Sequence, residues 1–552
     1  MLYYPPEFKS SFVWVYNEQG ELIQQIYPSN YRFVNYIRDG RGEIKKIIWD
    51  HSSIEIEKQI FSNENKFSLK ILITTPRYRI RSERTLITNL LTEVANKVEA
   101  GRLACSHFKY NYDGNRRLVE LRASIGDELK STILIKYDVG DSKFYKNINE
   151  FQFLREINSN QLTINDQNLN LYLRHDELAY LSEINVKIKN IQRFKGSYEY
   201  DEKSRLKSFS FQINENLFED VNFAFLKEKT YYYSYDANDR LLQVSVTKPG
   251  FKKLKNSVND SESIEKLWKL YYDSHGNSIL EDTKISNKNK NNKQLNINLQ
   301  INGADQLMIL DRENFKTRYK YDYDGFIYKR IDSKQETTFV FDSKQHLTKV
   351  KINSNNNKTI EYFYDHRSRL IARKHYSGYS IQYFYADEER PHLVTHVYDS
   401  NSNQLLTYYY TDDDSNRLFA VDRNGAMFYI ITDLLNSPLV VYDSFGNILN
   451  EHFYDPFGYE TSVDERLATS NGKFQLYISF KAGICDHEAG ILFLNGATKA
   501  YDPKSGRYLA PNLENVENIL LNPTNINLYK AFSPRPYSVE RETHYKGMII
   551  KK

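Results

Sequence analysis

Aromatic residues recur two positions apart along the chain, and an aspartate closes each pair. The phrase stands as Tyr319-Lys320-Tyr321-Asp322, Phe339-Val340-Phe341-Asp342 and Tyr362-Phe363-Tyr364-Asp365. It is stretched by one residue in Tyr383-Phe384-Tyr385-Ala386-Asp387 and in Tyr408-Tyr409-Tyr410-Thr411-Asp412. The aspartates step by 20, 23, 22 and 25 residues, a period that marks a repeat architecture. Two aromatics two apart point to one face of a strand. The aspartate ends the strand, because its side chain bonds the backbone of a turn. Arg-Leu or a similar pair opens the next strand, as in Arg240-Leu241, Arg369-Leu370 and Arg417-Leu418. Each unit therefore reads as one β-hairpin.

Earlier copies are looser: Tyr110-Asn111-Tyr112-Asp113, Tyr198-Glu199-Tyr200-Asp201, Tyr233-Ser234-Tyr235-Asp236 and a degenerate Ile47-Ile48-Trp49-Asp50. Two stretches are ambiguous. Leu86, Leu90, Val94 and Val98 recur at four-residue steps before Gly101, which permits a helix or two strands. Asp260 to Tyr272 could form a short capped helix with Ile264, Leu267 and Trp268 on one face. Lysine- and asparagine-rich runs at 286–293 and 353–358 read as solvated loops. From residue 427 the text changes. Asp455-Pro456-Phe457-Gly458 and Asp502-Pro503-Lys504-Ser505-Gly506-Arg507 are compact turns whose φ values Pro and Gly satisfy. Pro511, Pro523, Pro534 and Pro536 follow, and a segment so rich in proline cannot run far as a central strand.

Composition narrows the classes. Lys plus Arg number 75 against 71 acidic residues, a net charge of +4, which makes no electrostatic case for nucleic acid. The 45 Tyr and 31 Phe favour strand over helix. Cys105 and Cys485 form neither a disulfide framework nor a metal-ligand spacing. No basic-then-apolar leader opens the sequence, and no stretch nears ~20 apolar residues. There is no Gly-rich phosphate loop and no nucleophile elbow. His392 and His396 are four apart but lie where no helix is expected, so they read as structural rather than as metal ligands. No cofactor is expected.

The tyrosine-aspartate repeats resemble the YD/RHS repeats of bacterial toxin carriers and of animal teneurins. Residues 429 to 511 resemble the RHS-associated core that closes such shells. The run from Phe384 through Asp387-Glu388-Glu389-Arg390-Pro391-His392 to Val397, and Asn527-Leu528-Tyr529-Lys530-Ala531-Phe532, look like teneurin segments. The resemblance implies an all-β fold, a large YD-repeat β-barrel or shell built as a spiral of β-hairpins and closed by the associated core. It divides the chain into a shell over 1–426, the core over 427–511, and an irregular tail over 512–552 led inside the shell. Spiral repetition buries one face of each hairpin and leaves few free edges.

The resemblance further implies a non-enzymatic adhesion body on the extracellular side of a longer single-pass membrane protein. Its expected partner is a latrophilin-type adhesion receptor or a second teneurin, and a homodimer is expected in the full-length protein. A different class is a bacterial-type carrier that encloses a C-terminal toxin; a carbohydrate-binding shell is a third. Bacterial cores cut themselves with paired aspartates near the Asp-Pro-x-x-Gly-Arg-x-x-x-Pro-Asp phrase. Here its last acid is Asn512, and an amide cannot serve as general acid or base. Asp486 and Asp502 therefore read as turn aspartates, and no self-cleavage is expected. Asp455, Pro456, Gly458, Asp486, Asp502, Pro503, Gly506 and Arg507 are the structural core motif. Asn259 and Asn357 head the sequons Asn259-Asp260-Ser261 and Asn357-Lys358-Thr359.

Overall fold

The computed structural model describes residues 2–3, 11–61, 65–99, 103–126, 129–139, 143–156, 160–214, 226–247, 264–273, 276–281, 283–285, 293–295, 297–312, 315–333, 335–354, 357–400, 405–412, 415–464, 476–494, 496–513 and 527–529. Among them the protein is built of antiparallel strands joined in sequence order. One meander of 23 strands runs from Leu2–Tyr3 to Ser278–Glu281, and a second of 16 runs from Ile297–Ile301 to Glu460–Asp464. A small sheet of four strands, Ile484–Asp486, Ile491–Leu494, Lys499–Asp502 and Arg507–Tyr508, follows. In both ambiguous stretches the described residues are strand rather than helix, and the cap at Asp260 lies outside the described residues. Arg79–Ile87 and Leu90–Glu99 pair as a hairpin with Leu86 opposite Leu91. Ile264–Tyr272 is a strand whose Trp268, Leu270 and Tyr272 alternate onto one face; the period of two beats the four-residue step.

The aspartate of each phrase works as the pattern implies. Asp365 Oδ1 accepts the amides of Arg367 and Arg369 at 2.9 Å each, and Arg369 Nε donates to Oδ2 at 2.7 Å. Asp113, Asp201 and Asp236 repeat this set with Arg117, Arg205 and Arg240. The pairing register slips at the second aromatic, between Phe363 and Tyr364 for example. The third residue after the aspartate is left-handed, as in Ser368 (φ 65°) and Gly325 (φ 84°). This is a type I turn closed by a bulge, the geometry that three-residue hairpin loops favour. Degenerate Asp50 departs from it: its carboxylate takes the Ser343 amide from a distant hairpin instead.

Neighbouring repeats interlock through the same residues. The second tyrosine donates to the carbonyl of the leucine that opened the previous unit: Tyr200 to Leu181 at 2.9 Å, Tyr235 to Leu206 at 2.8 Å, Tyr385 to Leu370 at 2.7 Å. The turn arginine lies over the next tyrosine ring, Arg205 on Tyr235 and Arg369 on Tyr385, at 4.7 and 4.3 Å from the centroid. Asp365→Ala removes three bonds and leaves Arg369 without its carboxylate. Its expected cost is about 1–3 kcal/mol in denaturant unfolding. Asp365→Asn keeps the two backbone bonds and costs less, since Asn302 caps an equivalent turn natively.

The second meander lies on the first and runs the same way. Ser29 meets Asp324, Tyr110 meets Ala386, Asp166 meets Tyr429 and Lys227 meets Glu451. The sequence separation falls from 295 to 276, 263 and 224 along this series, so the chain forms a spiral whose later turn uses fewer residues. Aromatic pairs fill the seam: Tyr27 with Phe326, Phe151 with Tyr410, Phe108 with Phe384. The later turn is buried on both faces where the core covers it. All of Ser380–Phe384 is buried, whereas Leu169–His175 alternates.

His396 sits in this seam, fully buried between the Phe108 and Tyr408 rings, and its Nε2 has no hydrogen-bond partner. Burial pushes its pKa down to about 3. A depressed histidine contributes stability that is complete above the unfolded value near 6.5 and is lost as pH falls below it. From pH 6.5 to 5 the loss is about 2 kcal/mol, at ~1.4 kcal/mol per pH unit. Denaturation of wild type and His396→Phe at pH 7 and 5 reads this; the variant loses that part of the acid sensitivity. Asp342, Asp365 and Asp486, all held below the usual carboxylate value, act at lower pH.

Candidate functional site: carboxylates where the core meets the shell

The small sheet runs back along the second turn. Its strands place Asp486 and Asp502 at their ends, where each side chain leaves the sheet for the shell wall. Asp486 is 3% exposed. Arg373 Nε donates to its Oδ2 at 2.6 Å, the Tyr362 hydroxyl donates to the same oxygen at 2.6 Å, and the Ala489 amide donates to Oδ1 at 3.0 Å. Burial by itself would raise the carboxyl, but the Arg373 guanidinium outweighs it and holds Asp486 below the usual carboxylate range. Arg373 also bonds Glu488. Asp502 is wholly buried, takes the Tyr319 hydroxyl at 2.7 Å, and has Arg330 Nη1 at 3.6 Å. Arg330 in turn donates to the Ala489 carbonyl at 2.7 Å.

The two aspartates do not form a proton-sharing dyad. The strand Ile491–Leu494 lies between those that carry them, and two strand spacings come to about 9–10 Å. A dyad needs carboxylates ~3 Å apart. Burial, then the adjoining carboxylates, push Tyr319 and Tyr362 well above the ordinary phenol value. Both therefore remain neutral donors to these carboxylates. The arrangement does the chemistry of a lock: buried arginine, carboxylate and phenol couple the core to the wall.

The other motif residues lie around this lock. Asp455 Oδ1 accepts the Phe457 and Tyr459 amides at 2.9 Å, and Pro456 begins the turn between them. Tyr501 donates to the Phe457 carbonyl at 2.6 Å, tying the two Asp-Pro turns together. Gly458 (φ +83°) lies against the Phe480 ring and Gly506 (φ +72°) against Phe457. Pro503 sits in the turn closed by the Gly506 amide on the Asp502 carbonyl at 2.9 Å. Arg507 donates to the Asp305 carbonyl and the Asn277 side chain at 2.7 Å each; burial lowers its pKa. Asn512 accepts from Lys499, and its amide bonds the Leu528 carbonyl. Beyond it, Tyr529 is fully buried and donates to the Gly325 carbonyl at 2.8 Å. Asn357 is exposed at a hairpin end; Asn259 lies outside the described residues. His392 backs Gly496, away from the His396 seam. Cys105 and Cys485 are free thiols.

Sequence reasoning missed Arg330, Arg373, Tyr319 and Tyr362. A signal was present for the tyrosines. The first aromatic of the phrase faces the core, and it is Tyr in the copies at 319 and 362, where a carboxylate waits. It is Phe at 339, where the ring takes the Arg330 cation at 5.6 Å instead.

A spiral of interlocked aromatic-aspartate hairpins, closed by a small sheet locked on by buried charge, defines the class of YD-repeat shells. The family model for the teneurin YD-shell matches residues 1–536, and the chain belongs to that family. Teneurin-m of Drosophila melanogaster is 24% identical over 556 residues, 98% of this chain and 18% of that protein. Teneurin-3 of Mus musculus is 25% identical over 546 residues, 97% of this chain and 18% of its own length. The chain thus spans less than a fifth of these relatives. The crystal structure of TcdB2-TccC3-TEV aligns over 97% of this chain and 28% of that one, with 13% identity and a TM-score of 0.49. No helix among the described residues is long and apolar enough to cross a membrane.

Proposed function

We propose that this chain is the extracellular recognition shell of a teneurin-like membrane protein and has no enzymatic activity of its own. The match to the teneurin YD-shell over residues 1–536 carries the reading. The locked carboxylates and Asn512 support it, because they leave no paired acid for self-cleavage. The shell binds a latrophilin-type adhesion receptor, or a second copy of the same protein, through a broad outer surface. Affinity in such surfaces comes from a few aromatic and arginine anchors.

The test is binding of the purified 552-residue chain to cells that display a latrophilin-type receptor and to cells that display the chain itself. Saturable binding to either is expected. Binding to neither, with cleavage products near residue 512 in the intact-mass spectrum, overturns the reading and favours a carrier of an enclosed C-terminal toxin. Secretion through a glycosylating host also reports on placement: a glycosidase-sensitive mass shift that shrinks in Asn357→Gln and disappears when Asn259→Gln is added is expected.

A further inference from the structure

The tripeptide Asn527-Leu528-Tyr529 is held as a ligand would be. It lies against Arg507–Tyr508, the edge strand of the small sheet, and residues 514–526, outside the described residues, join it to the core. The Tyr508 amide donates to the Tyr529 carbonyl at 3.0 Å, and the Asn512 amide donates to the Leu528 carbonyl at 2.7 Å. Main-chain bonds to a sheet edge give a docked peptide its affinity, and pockets for its side chains give it specificity. All three residues of the tripeptide are buried.

Three successive turns of the shell supply those pockets. Asp273 caps the Asn277 amide, Asn302 the Gln306 amide and Asp322 the Phe326 amide. At Arg117, Arg205, Arg240 and Arg369 this capped position carries an arginine that answers its own aspartate. Here two of the three turns carry side-chain amides instead, and both bond the tripeptide. Asn277 Oδ1 accepts the Asn527 side-chain amide, and Arg507 donates to the same oxygen at 2.7 Å. Gln306 Nε2 donates to the Tyr529 hydroxyl at 3.1 Å, which donates onward to the Gly325 carbonyl at 2.8 Å. The Tyr321 ring meets the Tyr529 ring edge-on at 5.6 Å. Asn527 Oδ1 accepts the Tyr529 amide at 3.0 Å, which fixes one end of the tripeptide against the other. The site thus reads an amide at the first position and a phenol at the third.

We propose that these turns and the sheet edge form a recognition site for an Asn-Leu-Tyr peptide, which this chain fills with its own residues 527–529. The contact is modular: the same sequence supplied as a separate peptide competes for it. The adhesion reading does not rest on this site, so the two stand or fall separately.

The full chain carrying both Asn527→Ala and Tyr529→Ala presents the site vacated, and its thermal midpoint is expected below that of wild type. A labelled synthetic peptide spanning residues 524–532 is titrated in, with fluorescence anisotropy and the midpoint as readouts. Saturable binding and a recovering midpoint are expected for the double variant. Wild type, whose site is filled, is expected to bind the peptide at least about tenfold more weakly. The same peptide bearing Tyr529→Phe lacks both hydroxyl bonds and is expected to bind the double variant about tenfold more weakly. Absence of saturable binding to the vacated chain, equal binding to wild type, or equal binding of the Tyr529→Phe peptide overturns the proposal. Should the double variant fold poorly, the full chain carrying Tyr529→Phe alone decides it. Its weakened segment is expected to yield to the labelled peptide more readily than that of wild type, and equal uptake by the two overturns the proposal.

Discussion

Arg373→Met destabilises the protein by about 3–5 kcal/mol. Arg373 is 4% exposed and meets Asp486, itself 3% exposed, through Nε at 2.6 Å and Nη2 at 3.3 Å. The methionine fills much of the arginine stem's volume, so packing is largely kept. What is lost is the counter-charge. Asp486 then keeps the Tyr362 hydroxyl and the Ala489 amide, and an ionised carboxylate without a cation is costly in the interior. Urea unfolding of the single variants Arg373→Met and Asp486→Asn and of the double variant measures this. The double variant should recover a large part of the loss, because it removes the stranded charge. A cost under about 1 kcal/mol for Arg373→Met would show the pair to be screened like a surface bridge, contrary to its burial.

Gly458→Ala is the second large effect, at about 2–5 kcal/mol. Two causes add. Residue 458 has φ +83°, a left-handed conformation that costs an L-residue about 1–2 kcal/mol. A Cβ there would also stand 2.3 Å from Phe480 Cδ1 and 2.4 Å from Cγ. The ring body cannot swing aside as a flexible tip would, since Phe480 is 2% exposed and packed on Tyr454. Overpacking of this kind costs about 1–3 kcal/mol. Gly425→Ala separates the two causes. It has the same left-handed backbone, φ +84°, with nothing within 4 Å of the added carbon. Thermal unfolding should place Gly425→Ala at the backbone cost alone and Gly458→Ala well beyond it. Equal costs would remove the packing argument. Gly458→Ala with Phe480→Leu should recover part of the difference.

The hairpins were legible because their chemistry is local. An aspartate that caps amides two and four residues on, and an arginine that answers it, lie within five positions of each other. A reader of Asp365 to Arg369 can place the turn without knowing the fold. The stretches at 86–99 and 264–272 were not settled by pattern, because a four-residue recurrence of apolar residues is also met by strands of mixed burial. There the pairing of Leu86 with Leu91, and of Val244 with Trp268, decided.

The site was half legible. Asp455, Asp486, Asp502, Gly458, Gly506 and Arg507 stand out as turn chemistry in the sequence. Their partners do not, because Arg373 and Asp486 are 113 positions apart, and Tyr319 and Asp502 are 183 apart. Those distances depend on every loop length between.

By itself the sequence determined the all-β class, the hairpin unit, the turn residues and the resemblance to teneurin shells, since each rests on contacts within a few residues or on a repeated phrase. The tertiary structure alone decided which hairpin of the later turn lies on which of the first, which arginine neutralises which aspartate, and that Asp486 and Asp502 stand two strands apart. The pitch of a spiral sums small contributions from the whole chain, and no short stretch of sequence carries it.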